Sequence, residues 1–402
     1  MERHETSGIE RAQDMKKEQE QNIQAGYYIV DLIRAVLKNE TPKAMPEGVT
    51  PKDVYMMAKK HSVDCIVYRA LEQLPAKAMG AYAEQWKKHQ MQCAMQGVVQ
   101  LSERDRLYQM FTEAGIRILP LKGCLMKGMY PKQEYRQMAD LDILIDGEHA
   151  ENVKMMMEKS GYTHVYTPFS QYHDEYIKRP WCNVEIHNRM LPEENENVKD
   201  YEDIWQRAYE EAPGSGIFRL SWDDFYIYMI DHCAKHFFKQ GSGIRSVMDV
   251  YVFLKEKGQE LHREYLKEQL MKKDLWEFTE TIEQIAEAWF ERGETGIFEE
   301  TEKKIILSGA HGCLDMHYLI AMDNLTRKYG SRKIAYVVRL TSRVFMRYKK
   351  MCILYPILKK LPFLLPFFWV HRGFVIFSKR RYKIKKELGF MKDLLNENKE
   401  RL

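Results

Sequence analysis

Asp140 and Asp142 stand two residues apart, and the apolar run Ile143-Leu144-Ile145 follows directly. The alternation predicts a strand over 140–146 with both carboxylates on one face. Two acids side by side at a sheet edge repel each other, and a divalent cation offsets that repulsion. Hard oxygen ligands suit Mg²⁺, usually held by one or two carboxylates together with substrate phosphates; Mn²⁺ is the alternative ion. Upstream, Lys122-Gly123 lies between the apolar run Ile118-Leu119-Pro120-Leu121 and a helix-like stretch over 124–130. A glycine at a strand-to-helix junction lets backbone N–H groups approach a phosphate. Lys122 adds a point charge.

The elements that must position these residues form an α+β chain, a small mixed sheet flanked by helical regions. Residues 1–22 read as a solvated tail or marginal helix. Apolar residues at helical spacing predict a helix over 23–40, and three more follow over 51–60, 63–73 and 79–114 within an N-terminal helical region, 23–115. His61 falls between two of them and reads as a packed or capping residue. The core, 116–190, alternates strand 116–120, helix 122–129, loop 130–138, strand 140–146, helix 148–160 and strands near 162–167, 172–178 and 183–188. Arg136 sits in the loop before the acidic strand, where it could grip a triphosphate in a bidentate contact or bond Glu134 at the surface. An acidic, Pro- and Gly-bearing linker covers 191–220. A helical domain, 221–325, opens on Ser221 as N-cap. Its first helix carries His232, Lys235 and His236. The two histidines are spaced i, i+4, but a zinc reading lacks a third ligand. Arg245 and Asp249, also i, i+4, are expected to pair.

Together these motifs resemble the nucleotidyltransferase superfamily of DNA polymerase β-like folds. More narrowly, they resemble a bacterial family of uncharacterised nucleotidyltransferases in which a Lys-Gly turn replaces Gly-Ser. The resemblance implies a third acid on a later strand, Glu185 of Asn183-Val184-Glu185-Ile186-His187, with His187 on the same face. Cys124 stands where the superfamily has serine, and Lys122 is the expected substitute for its phosphate contact. The family also pairs an H-x-x-K-H helix with a G-I-R-x-x-x-D helix, matched here by His232, Lys235 and His236, then Gly243-Ile244-Arg245 and Asp249. The implied activity is Mg²⁺-dependent transfer of NMP from an NTP, ATP first among them, to a hydroxyl acceptor by two-metal in-line displacement. Asp140, Asp142 and Glu185 would be the metal ligands and catalytic groups; Lys122, Gly123, Arg136 and Lys235 would bind nucleotide. His187, His232, His236, Arg245 and Asp249 would be accessory. The rivals are a toxin-type enzyme modifying protein or tRNA, and a degenerate scaffold that docks on a membrane.

Composition sets the remaining bounds. The 402 residues are too many for one typical domain. Hydrophobic residues at 45% and charged residues at 30% describe a water-soluble fold. The 7 cysteines are scattered singly without a C-x-x-C pair, which fits a reducing, cytoplasmic compartment. The charged N-terminus lacks a secretory apolar stretch. The net charge of +4 conceals an asymmetry, because residues 324–386 carry 18 Lys or Arg and no Asp or Glu. That block belongs to a basic, aromatic-rich C-terminal region, 326–402. It suits an anionic membrane surface, internal packing against the acidic remainder, or, as a weaker match, nucleic acid. Its apolar run, 361–377, is interrupted by prolines, His371, Arg372 and Gly373, and so falls short of a membrane span.

Overall fold

The computed structural model describes residues 2–166, 172–193, 195, 197–310, 312 and 314–379; for residues 2–16, 314, 315, 377 and 379 it describes the backbone alone. The chain divides into two compact units. One comprises residues 1–166, 171–237 and 242–311, the other 167–170, 238–241 and 312–402.

The first unit opens with helices α1 (Glu2–Lys38), α2 (Pro51–His61), α3 (Asp64–Leu71) and α4 (Ala83–Glu113). α1 is continuous from Glu2, where the sequence suggested a tail or marginal helix over 1–22. α2 begins sharply because Thr50 and Asp53 close a reciprocal capping box and Pro51 occupies the first helical position. The sheet follows: β1 (Ile118–Pro120), β2 (Leu141–Ile145), β3 (Thr163–Val165), β4 (His173–Lys178) and β5 (Cys182–His187), in spatial order β1-β2-β5-β4-β3. Between β1 and β2 lies a single α-turn, α5 (Gly123–Met126), and between β2 and β3 lies α6 (Ala150–Lys159). The protein is thus α+β with a mixed sheet, since β2 and β5 pair in parallel while β1–β2, β4–β5 and β3–β4 pair antiparallel.

Period-two alternation gives this sheet two unlike faces. On one, Leu141, Ile143 and Ile145 of β2 and Val184 and Ile186 of β5 join Leu107 and Phe111 of α4 and Val153 and Met157 of α6 in a buried core. On the other stand Asp142, Glu185 and His187. The parallel register puts Asp142 directly opposite Glu185. The apolar face thereby fixes the register that sets two carboxylates side by side, because a one-residue slip would turn them into the core.

Beyond β5 come α7 (Ile204–Arg207) and a short hairpin, β6 (Tyr209–Glu210) with β7 (Phe218–Arg219). The helices α8 (Trp222–Lys239), α9 (Ile244–Lys257), α10 (Arg263–Lys272), α11 (Trp276–Glu287) and α12 (Glu299–Ser308) follow. An apolar core joins α1, α2 and α3 to α8, α9 and α11.

His61, fully buried at the end of α2, ties three segments together. Its Nε2 donates to the Ile306 carbonyl at 2.9 Å, and its Nδ1 accepts the Ile244 N–H, at the start of α9, at 3.0 Å. These bonds require the neutral ring. Burial pushes the His61 pKa down to about 3. The unfolded chain therefore takes up this proton first as pH falls, so the contribution is complete above about 6.5 and is lost below it, at up to about 1.4 kcal/mol per pH unit. Urea unfolding at pH 7.5 and 5 is expected to show a drop in stability from this residue of about 2 kcal/mol. His61→Gln, less stable at pH 7.5, should show a correspondingly flatter profile; an equal drop in both proteins would refute the assignment.

The second unit contains α13 (Leu314–Tyr329), α14 (Arg332–Val344), α15 (Tyr348–Leu354) and α16 (Leu365–Lys379). A single basic helix over 325–350 is expected from the sequence. The structure breaks it twice, first at Gly330, which takes a left-handed φ of +69°, and Ser331, which is extended, and again at Phe345–Arg347. The basic block continues to residue 386, and its part beyond 379 lies outside the described residues. Among the described residues no helix is long and apolar enough to cross a membrane.

Candidate active site

The acids define the centre. Asp142 is buried on β2, Glu185 is half-buried beside it on β5, and Asp140 immediately precedes β2. One carboxylate oxygen from each lies within 4.8 Å of the others. The three are not electrostatically equal. The Lys122 ammonium donates to Asp142 Oδ1 at 2.9 Å, and His187 Nε2 meets the same oxygen at 3.1 Å and Glu185 Oε2 at 3.3 Å. Burial opposes ionisation of Asp142, but Lys122 and His187 outweigh it and hold the carboxyl well below its ordinary range. Asp140 goes the other way. Burial, then the neighbouring Asp142 and Glu185 charges, push it up to about 7. Burial lowers the His187 pKa, and its bonds to Asp142 and Glu185 more than reverse this.

The turn before β2 is built for close approach. Lys122 adopts a left-handed φ of +39°, rare for a residue with a side chain. At Gly123 a Cβ would stand 2.8 Å from Arg136 Nη1 and 2.9 Å from Met138 Sδ. The helix expected over 122–129 is only α5 and a following 3₁₀ turn, so the turn offers no extended helix dipole. Cys124, at the serine position of the Gly-Ser pattern, turns away into the sheet core, and its thiol donates to the Asp142 carbonyl at 3.6 Å.

Arg136 is buried and is not paired with Glu134. Its Nε and Nη2 fork onto Asp249 Oδ1 and Oδ2 at 2.7 and 2.9 Å, and the Tyr130 hydroxyl donates to Asp249 at 2.6 Å. The i, i+4 pair expected between Arg245 and Asp249 is thus replaced by a pair across the fold. Arg245 instead donates to the Gln137 carbonyl at 3.4 Å, and among the described residues no carboxylate lies within ion-pair distance of it. The prior claim of Arg136, whose fork meets both Asp249 oxygens, accounts for the difference.

α8 faces the acids. His232 and His236 meet Nε2 to Nε2 at 3.1 Å, and burial followed by the nearby Lys122 charge pushes His232 well down. Among the described residues no third ligand joins this pair. The Lys235 ammonium stands 5.6 Å from the centre of the Tyr172 ring.

One cavity of about 310 Å³ collects these groups. Lys122, Gly123, Arg136, Asp140, Asp142, Glu185, His232, Lys235, His236, Arg245 and Asp249 all line it, while His187 sits behind Asp142. Gln137, Tyr172, Ser242 and Ser246, which carry no motif in the sequence, also line it. Nothing local marks them, and the pairing of distant segments alone brings them in.

A cavity with three converging carboxylates at one end and several cations around it is the arrangement of a polyanion-handling transferase. The family model for an uncharacterised nucleotidyltransferase matches residues 47–291, and the chain belongs to that family. It is a nucleotidyltransferase, a transferase whose substrate class is the nucleoside triphosphate. No curated protein and no solved structure matches it.

Proposed function

We propose that the protein transfers NMP from ATP to a hydroxyl acceptor with Mg²⁺ held by Asp140, Asp142 and Glu185. The donor set supports the cation: three hard oxygens within reach of one another suit Mg²⁺, with Mn²⁺ as substitute. Asp140, raised to about 7 chiefly by burial and by its two acidic neighbours, carries the uncompensated charge that a cation relieves. When bound, paired Mg²⁺ ions would activate the attacking hydroxyl and neutralise the departing pyrophosphate.

The protein groups have separable tasks. Lys122 neutralises Asp142 and is placed to pass its charge to a phosphate once that acid has another partner. Arg245, which has no acidic partner among the described residues, takes the phosphate-gripping part first expected of Arg136. Lys235 adds a second cation on the α8 side, and Tyr172 offers a ring face to a base. Glu185, half-buried beside the Asp pair, or the Asp nearest the acceptor would take the acceptor's proton. The observation that carries the reading is the convergence of the three carboxylates opposite Arg245 and Lys235 in one cavity.

Calorimetry with Mg²⁺ and ATP tests it. The parent is expected to bind both, and Asp140→Ala/Asp142→Ala to lose Mg²⁺ binding. A carboxyl that titrates near 7 is protonated below that pH, so Mg²⁺ affinity should fall about tenfold between pH 8 and 6. Failure of the parent to bind any NTP would favour the rival reading of a scaffold docking on an anionic membrane. Transfer of label to protein or tRNA would identify the toxin-type alternative.

A further inference from the structure

Away from the acid cavity, a second cluster has the composition of a soft-metal site. Asp64 and Cys65 stand in the first turn of α3, and His89 and Cys93, spaced i, i+4, share one face of α4. Ligand atoms of Asp64, Cys65 and Cys93 lie within 4.8 Å of one another, and His89 stands at the edge of that trio, against Asp64 and Cys93. His89 Nε2 contacts the Asp64 carboxylate and is 3.6 Å from Cys93 Sγ. Asp64 and Cys65 are buried and Cys93 is half-buried, so this is an interior constellation.

The geometry points to a structural Zn²⁺ site formed by Asp64, Cys65, His89 and Cys93. Two sulfurs, one imidazole and one carboxylate make a four-ligand set that suits Zn²⁺ and suits Mg²⁺ poorly. The surroundings fit the charge. Two thiolates and a carboxylate around a dication leave one net negative charge, and the buried Lys127 ammonium lies within electrostatic reach of both sulfurs. The Gln137 amide donates to Cys93 Sγ at 2.8 Å and to Cys65 Sγ at 3.4 Å, the kind of outer contact that orients thiolate ligands. Four protein ligands leave no open position, so the ion would be structural. It would clip α3 to α4 and, through Gln137, steady the loop that carries Arg136 and Asp140 into the cavity.

The test uses the full chain, prepared without a polyhistidine tag under reducing conditions, incubated with ZnCl₂, desalted and assayed for metal by mass spectrometry. The parent and Asp140→Asn are expected to retain about one zinc per chain. Cys93→Ser and His89→Ala should retain less than about a tenth of that. Circular dichroism accompanies each variant to separate unfolding of Cys93→Ser from loss of metal, and His89→Ala, altered at a partly exposed helix position, provides a second probe. Co²⁺ substitution should give a sulfur-to-metal charge-transfer band that Cys93→Ser lacks. No retained zinc in the parent, equal retention by the folded Cys93→Ser protein, or a Cys65–Cys93 disulfide in place of metal would each overturn the proposal. Loss of zinc without loss of Mg²⁺–ATP binding keeps this result distinct from the nucleotide reading.

Discussion

Asp142→Asn is expected to lower Mg²⁺-dependent NTP turnover at least about a thousandfold, a loss of about 4 kcal/mol in transition-state stabilisation. The same change removes the negative charge that Lys122 and His187 answer at Asp142 Oδ1 and leaves them at best a neutral amide oxygen. Breaking one side of a buried charge pair typically destabilises by about 3–5 kcal/mol, so inactivity alone would not separate chemistry from folding. The double variant Lys122→Met/Asp142→Asn does separate them. Removing both members relieves the stranded ammonium and should restore much of the unfolding midpoint. On the proposed cation reading turnover should stay lost, because asparagine would supply a neutral ligand where that cation would take a carboxylate. Urea unfolding and NTP turnover, measured on the parent, both single variants and the double variant, give the comparison. Recovery of turnover along with stability in the double variant would show that Asp142 serves only to hold Lys122 in place.

The same residues show where sequence reasoning reaches and where it stops. Asp140 and Asp142 were legible because strand periodicity is local, and an apolar run on alternate positions dictates which face the acids take. Glu185 came from a family pattern, since nothing in Asn183–His187 by itself says that β5 pairs in parallel beside β2. The helical regions were legible from their apolar stripes, and the extension of α1 over 2–22 was not, because that stretch has no such stripe. The break near Gly330 was signalled by a glycine, but the run of basic residues across it reads as continuous. Partners distant in sequence were the least accessible. Arg136 offered Glu134 as a near neighbour and Asp249 offered Arg245 one turn away. The buried pair instead joins Arg136 to Asp249 across the fold, where a fork that meets both carboxylate oxygens outweighs either local contact.

That pair carries the second large expectation. Arg136→Met should destabilise the protein by about 3–5 kcal/mol, because Asp249 would remain buried with the Tyr130 hydroxyl as its hydrogen-bond donor and the Arg245 charge nearby but unbonded. Arg136→Lys keeps the charge but replaces a planar fork with a single ammonium, which cannot match both carboxylate oxygens. It should lower the unfolding midpoint by an intermediate amount. If Arg136 instead gripped the triphosphate, Arg136→Lys would raise KM for NTP while the midpoint stayed at the parent value. Arg245→Lys should show that second pattern, a KM about tenfold higher for the loss of about 1.4 kcal/mol of binding with little change in midpoint. The double variant Arg136→Met/Asp249→Leu adds the decisive arm. An apolar pair of similar volume can match or exceed a buried ion pair in stability, so its midpoint should recover towards the parent. Its turnover then reports whether the loop before β2 needs that ion pair to aim Asp140 or only needs to be held against α9. Full turnover at a recovered midpoint would make Arg136 a structural clamp. Recovered stability with low turnover would make the fork a positioning device for the acid beside it.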